Sequence, residues 1–507
     1  MYEFSSDKIW LATGENRIYL EPSMANRHGL IAGATGTGKT VTLKVIAESF
    51  SEMGVPVFIS DVKGDLSGMA LPGEDNKHIL RSIETMGIEK FRYRSYPARF
   101  FDVYGKKGLP VRATVSDMGP ELISRILGLN ETQSGVMRII FRIADDRELL
   151  LLDLKDLRSM ATYVGDNAAE FKTRYGNVSP QTVGAIQRAL LTLEDEGGDV
   201  FFGEPMLDIA DWFATDEDGF GVMNILECQT LALHPLLYGT FLLWMLSELY
   251  EYLPEYGDAD RPKIAFFFDE AHMLFKDAPK ALTEKVEMVV RLIRSKGVSV
   301  WFISQNPSDI PESVLGQLGN RVQHALRAYT PNEQKAIRYA ARSFRENPSF
   351  NTENALQELG VGEALVSVLD EKGVPTVVER ANILPPRSSM SDAGSELIEE
   401  VMKNDPLFEK YGENVDRESA YEALTEEAEE AAEQKAEEER EKAEQKEKEQ
   451  KQKEEEKKKK EEEKKKAAKK RSSSSSYAGK VASSAASSIG RELGRSLFRG
   501  IFGILKK

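Results

Sequence analysis

The sequence predicts an α/β fold with a mainly parallel sheet, an inserted helical subdomain and a charged C-terminal tail. Three observations carry this expectation. Short, continuously apolar runs recur at residues 28–33, 55–61, 222–226, 264–268, 298–304 and 322–328, most of them separated by segments with apolar residues at helical spacing. Strands apolar on both faces that alternate with helices belong to a sheet covered on both sides. Residues 62–221 read mostly as helix, and beyond Leu424 a long stretch is almost devoid of large apolar side chains.

Residues 1–28 read as short strands and turns that lead into His28-Gly-Leu-Ile-Ala-Gly33, an apolar run ended by glycine and hence a buried strand. Val41, Val45, Ile46 and Phe50 mark one face of a helix over 41–53, and Gly54 stops it. A second strand follows at 55–61. Helical periodicity then covers 121–129, 135–144 and 181–195 before the strand pattern returns at 222. A chain of 507 residues with 41% hydrophobic residues buries a large core, which excludes a disordered protein over most of its length.

Between the first strand and its helix stands Gly33-Ala34-Thr35-Gly36-Thr37-Gly38-Lys39-Thr40, which fits G-x-x-x-x-G-K-[ST] in the strand-to-helix setting that the motif requires. Phosphate oxygens need several donors at close range. Glycines at 33, 36 and 38 let backbone N–H groups curl around them without side-chain clashes. Lys39 is placed to bridge the β- and γ-phosphates, and the Thr40 hydroxyl to ligate Mg2+. The expected ligand is ATP with Mg2+. Lys263-Ile-Ala-Phe-Phe-Phe-Asp269-Glu270 supplies the other half of such a site. Asp269, at the end of a buried strand, suits the magnesium shell, and Glu270 suits the group that polarises the attacking water. His272 reads as a satisfied polar residue at the strand exit. A third strand, 298–304, ends in Ser304-Gln305-Asn306-Pro307, where Gln305 suits either a bond to the γ-phosphate or attacking water, or a capping role. Asp61-Val-Lys63-Gly-Asp65 also follows a strand, at the carboxyl end of the sheet where ligands of open sheets bind, and takes no assigned role.

These elements, in this order, resemble the HerA-FtsK group of RecA-like motor ATPases, most closely the bacterial HerA-like family. The most specific stretches are Met24-Ala-Asn-Arg-His-Gly-Leu-Ile-Ala-Gly-Ala-Thr-Gly-Thr-Gly-Lys39 and Arg291-Leu-Ile-Arg-Ser-Lys-Gly-Val-Ser-Val-Trp-Phe-Ile-Ser-Gln-Asn-Pro-Ser-Asp-Ile-Pro311. The resemblance covers roughly residues 1–420. It implies a RecA-like P-loop NTPase, a homo-hexameric ring with ATP at subunit interfaces, and an arginine supplied by the neighbouring subunit. By position that arginine is Arg294, with Arg327 as runner-up. About 28 residues precede the phosphate strand, where archaeal members of the group carry a β-barrel that helps dock a nuclease, so nuclease partnership is not expected. The membrane helices and winged DNA-reading domain of FtsK proteins are not visible in the sequence either, and DNA translocation is an expectation by analogy.

Charge constrains the partners. Residues 1–417 carry 44 Lys+Arg against 62 Asp+Glu, net −18, and residues 418–507 carry 23 against 21, net +2. An acidic domain is not built as a general duplex binder, because that affinity comes mainly from Lys and Arg. The lone Cys228, the lack of a secretory pattern and the lack of a long apolar span point to the cytoplasm. The expected segments are 1–61 (N-terminal strands and phosphate-loop half of the core), 62–221 (helical insertion), 222–417 (second half of the core), 418–476 (charged helix or disordered linker) and 477–507. The last reads as a basic amphipathic helix. Ile489, Leu493, Leu497, Ile501 and Leu505 follow one side, while Arg491, Arg495, Arg499 and Lys506 cluster on the other. Peripheral membrane contact and protein docking fit it equally. The functional expectation is an ATP-driven DNA translocase or helicase-like motor. Its rival is a membrane-surface ATPase that acts on protein.

Overall fold

Thirteen strands form one sheet among the described residues: β1 (Tyr2–Glu3), β2 (Lys8–Thr13), β3 (Arg17–Leu20), β4 (Gly29–Ala32), β5 (Val57–Asp61), β6 (Ala98–Asp102), β7 (Leu109–Pro110), β8 (Met223–Glu227), β9 (Ile264–Phe268), β10 (Val298–Ser304), β11 (Asn320–His324), β12 (Glu363–Ser367) and β13 (Glu379–Ile383). The computed structural model describes residues 1–471 except Asp258, Asp277 and Pro279. Strand order is β1-β2-β13-β12-β11-β4-β10-β9-β5-β8-β6-β7, with β3 beside β2. From β11 to β7 every neighbouring pair is parallel. From β11 back to β1, and between β2 and β3, every pair is antiparallel.

The central strands β4, β5, β9 and β10 are buried along their whole length. Alternation across the pleat sends their side chains into two cores. Phe266, Phe268 and Phe302 pack with the apolar helix Pro235–Tyr252 on one face. Ile31, Ile59, Phe267 and Trp301 pack with the helix Lys39–Glu52 on the other. Gly29 is required by that packing, since a Cβ there would lie 2.1 Å from the Trp301 ring.

The stretch 62–221 needs correction on one point. It contributes the helices Val115–Ile126, Glu131–Asp146, Leu154–Asp166 and Pro180–Asp195, but its first part also supplies β6 and β7 to the sheet. Ala98-Arg-Phe-Phe-Asp102 carries two charges in five residues, so no continuous apolar run announces it. The strand expected at 322–328 instead spans Asn320–His324, because the Ala325 carbonyl turns to accept a bond from Ala34 N–H at 2.9 Å.

The chain divides into two compact units, Met1–Glu426 and a second that begins at Glu427. The boundary therefore lies past 418. In the first turn of the helix Ala420–Arg471, Ala420 and Leu424 are buried, and Tyr421 N–H donates to Asp156 at 2.9 Å. Beyond that turn the helix is exposed and laced by pairs such as Lys442–Glu438 (3.0 Å) and Lys451–Glu447 (2.7 Å), each worth a few tenths of a kcal/mol. No helix among the described residues is long and apolar enough to cross a membrane. The expected helix at 477–507 lies outside the described residues.

Candidate nucleotide-binding and hydrolysis site

The phosphate loop leaves the sheet at the C-terminal end of β4 and is pinned to both neighbours. Gly33 N–H donates to the Ser304 carbonyl at 3.2 Å on one side, and Ala34 N–H to the Ala325 carbonyl on the other. Gly33 and Gly38 have φ of 153° and 115°, and a Cβ at Gly33 would lie 2.5 Å from that of His324. Close backbone approach and positive φ together demand glycine there. Thr37 closes the turn by donating to the Ala34 carbonyl at 2.7 Å, and its own carbonyl accepts from Gly362 N–H at 3.1 Å. Thr35 and Gly36 form the exposed tip, and Thr40 is half-buried in the first helical turn. Behind the loop, His324 bonds Thr42 Oγ1 at 2.8 Å and the Glu363 carbonyl at 3.0 Å. The helix Lys39–Glu52 starts directly behind the loop, so its positive dipole end faces the phosphate position. Lys39 Nζ donates to the carbonyls of Gly33 (2.7 Å) and Ala34 (3.1 Å). Burial, and then the charge of Lys63, hold its ammonium below the usual lysine range.

The acidic half follows β9. Asp269 and Glu270 are buried, and Glu270 sits in the left-handed region at φ 47°, ψ 46°. A non-glycine residue there is strained, a feature that collects at functional sites. Lys63 Nζ lies 3.0 Å from Asp269 Oδ2 and 2.8 Å from Glu270 Oε1. Glu270 Oε2 lies 3.2 Å from His272 Nδ1 and 3.4 Å from Gln305 Nε2. Burial pushes both carboxyls up. For Asp269 it prevails over Lys63, whereas for Glu270 the hydrogen bond and charge of Lys63 prevail and hold the group below its ordinary value.

Lys63 is the site residue to which sequence reasoning gave no role. Asp61, at the end of β5, accepts from Gly64 N–H (2.6 Å) and Leu66 N–H (2.9 Å), and the turn so formed presents Lys63 to β9. The signal was the Asp-x-Lys-Gly-Asp text at a strand end. Its partners depend on β5 lying beside β9, which the text does not state.

A loop of backbone donors, two converging ammonium groups, a threonine at the helix start and a carboxylate at the end of the next strand but one fit a magnesium nucleoside triphosphate. The family described as Helicase HerA-like C-terminal matches residues 7–507. The chain belongs to the HerA-like helicase family. A curated relative, the DNA double-strand break repair helicase HerA of Sulfolobus acidocaldarius, is 21% identical over 375 residues, or 72% of this chain. The chain spans 66% of that relative's length. Among solved structures, the bacterial conjugative coupling protein TrwBdeltaN70 in its unbound monoclinic form superposes with TM-score 0.51 at 15% identity, over 76% of this chain and 92% of that one. The plasmid coupling protein TrwB in complex with ADP and Mg2+ gives 0.50 at 15% identity, over 73% and 88%. The fold is thus that of a RecA-like P-loop ATPase.

In this HerA-like chain the structure brings Lys39, Asp269, Glu270 and Gln305 together at the carboxyl ends of the central parallel strands, with Lys63 among them. Arg294 is elsewhere. It lies in the turn Ile293–Lys296 that precedes β10, close enough to His28 to disfavour a proton there. His28 precedes β4, so Arg294 sits where the parallel strands begin, and the phosphate loop lies where they end. Arg327 follows β11 on the loop side, and its guanidinium donates to the Gln357 carbonyl.

Proposed function

We propose that this HerA-like chain binds ATP with Mg2+, hydrolyses it, and works as a ring-shaped DNA translocase or helicase-like motor. The observation that carries hydrolysis is the placement of Glu270 at the end of β9, two strands from the strand that feeds the phosphate loop, with Gln305 beside it at the end of the intervening β10. The loop amides and Lys39 grip the phosphates. Thr40 and Asp269 would hold Mg2+, which neutralises charge on the β- and γ-phosphates when bound. Glu270 accepts a hydrogen bond from the attacking water and orients it in line with the leaving oxygen, and Gln305 steadies the same water or the γ-phosphate. Phosphoryl transfer depends on such positioning more than on covalent help from the protein.

The homo-hexamer and the DNA substrate are inferences from the family. Arg294 keeps its family-implied role as the arginine offered to a neighbouring subunit, at the end of the strands opposite its own phosphate loop. The second reading is a membrane-surface ATPase that acts on protein, with residues 477–507 as its anchor; the net charge of −18 on residues 1–417 weighs for it only by arguing against general duplex binding. Phosphate release measured alone, with single-stranded DNA, with duplex DNA and with anionic vesicles separates them. Stimulation by DNA supports the motor. Stimulation by vesicles alone supports the rival, and no Mg2+-dependent phosphate release under any condition refutes both.

A further inference from the structure

We propose that Lys63 is a latch on the water-orienting carboxylate, which its ammonium holds by a direct ion pair until the terminal phosphate of a bound nucleoside triphosphate draws it away. This deepens the hydrolysis reading above and rests on it. Three nitrogens converge on the two oxygens of Glu270: Lys63 Nζ at 2.8 Å, His272 Nδ1 at 3.2 Å and Gln305 Nε2 at 3.4 Å. The ammonium is the strongest of these, and the carboxylate it engages is the one that must turn toward water. While the pair persists, Glu270 is held for Lys63 and not for the reaction.

The pair is built to open at the side chain alone. The Lys63 carbonyl accepts from Gln229 Nε2 at 2.7 Å, and Asp61 clamps the amides of Gly64 and Leu66. Gly64 has φ of 80°, and a Cβ there would meet the Gln229 amide at 2.5 Å, so the main chain of this turn is fixed. The Lys63 side chain, by contrast, is 37% exposed, against 6% for Asp269 and 11% for Glu270. A lysine, with a compact charge on a flexible stem, can swing between two anions where a planar guanidinium is held by its fork. The terminal phosphate carries more charge and more acceptor oxygens than the carboxylate it competes with. Lys39, although it too faces the phosphates, is not the latch, because its ammonium donates to the carbonyls of its own loop while the ion pairs to Asp269 and Glu270 are made by Lys63. A diphosphate offers Lys63 no terminal group at that position, so only a triphosphate opens the latch. Hydrolysis then waits on the γ-phosphate being present.

A lysine that merely neutralises two buried acids predicts something different, and binding without turnover distinguishes the two. Calorimetry with Mg2+ would compare a non-hydrolysable triphosphate analogue with ADP on the full chain, as wild type, Lys63→Met and Lys63→Arg. Loss of one charge-assisted bond to the terminal phosphate corresponds to roughly tenfold. Lys63→Met is expected to weaken the analogue by about that factor while ADP changes less than about twofold, and Lys63→Arg to retain part of the preference. Since Lys63→Met leaves two acids unpaired, Lys63→Met/Glu270→Gln, which removes one of them, repeats the comparison and is expected to show the same loss. Equal weakening of both nucleotides, or an unchanged preference in both methionine variants, overturns the latch and leaves the hydrolysis reading standing. A wild-type protein that binds neither nucleotide overturns both.

Discussion

Replacing Glu270 by glutamine removes one charge and one proton acceptor while the side-chain volume scarcely changes. The amide can keep its oxygen toward Lys63, which retains Asp269 at 3.0 Å, and turn its NH2 toward His272 and Gln305. A neutral imidazole nitrogen and the Gln305 amide oxygen can each rotate into place as acceptor. What the fold loses is one ion pair to a lysine that is more than a third exposed, on the order of 1 kcal/mol after solvent screening. What the reaction loses is larger. A positioned general base contributes about 10²–10⁴-fold, or about 3–5 kcal/mol of barrier. Glu270→Gln should therefore keep its thermal midpoint within a few degrees, bind a triphosphate analogue normally, and release phosphate at least about a hundredfold more slowly. Lys39→Ala, which removes a phosphate contact, should weaken nucleotide binding itself. Steady-state phosphate release and analogue binding on the same preparations supply both numbers. Turnover by Glu270→Gln within about threefold of wild type, with the fold intact, would refute the assignment.

Arg294→Ala should bind nucleotide and hydrolyse it poorly, yet regain activity when mixed with Glu270→Gln, because some interfaces of a mixed ring pair an intact Glu270 with an intact Arg294; wild-type turnover by Arg294→Ala excludes the role. Arg387→Met should destabilise the unit Met1–Glu426 by roughly 3 kcal/mol, since it strips the fully buried Glu52 of a cation at 2.6 Å. Tyr2 N–H (3.1 Å) and the Tyr96 hydroxyl (2.9 Å) remain as donors, and a shift in the urea midpoint worth less than about 1 kcal/mol would show the pair to be inert. Stability should fall between pH 7 and pH 5. Burial lowers His28 and His324 from 6.5 to about 4, so each contributes stability that is complete above 6.5 and lost as pH falls toward 4. His28 must be neutral, because its Nδ1 accepts from Val300 N–H at 3.1 Å while Nε2 bonds the Val290 carbonyl at 2.9 Å. Over that interval each histidine costs about 2 kcal/mol by linkage. Asp61, raised by burial from 3.8 to about 6, works the other way and recovers about 1 kcal/mol. Urea titrations at both pH values measure the net loss, and a rise in stability would contradict it.

The parallel core was legible because its strands announce themselves. Val298–Ser304 and Ile264–Phe268 are apolar on both faces, and a run of that kind has few places to go except the middle of a covered sheet. The phosphate loop was legible because its glycines are demanded by geometry that tolerates nothing else, as Gly33 against His324 shows. The strands at the margins were not. β6 has Arg99, whose guanidinium reaches Asp405 at 2.8 Å, and Asp102, which accepts from the amides of Tyr104, Lys106 and Lys107. The charge of Arg99 is satisfied only by residues that folding brings to it, Asp405 and the Asp211 carbonyl, whereas that of Asp102 is satisfied by the turn that follows it.

The same reasoning explains why Lys63 stayed without a role while Glu270 did not. A carboxylate pair at a strand end has one local meaning beside a phosphate loop, and Gln305, only 35 residues on, lies on the neighbouring strand. Lys63 is 206 residues from Asp269. It reaches the site only because the strand order places β5 beside β9, on the far side from β10. Strand order converts three separate strand ends into one row, with Gln305, then Asp269 and Glu270, then Lys63. The middle position, flanked by an amide on one side and a cation on the other, is where a carboxylate can be held in one geometry and released into another.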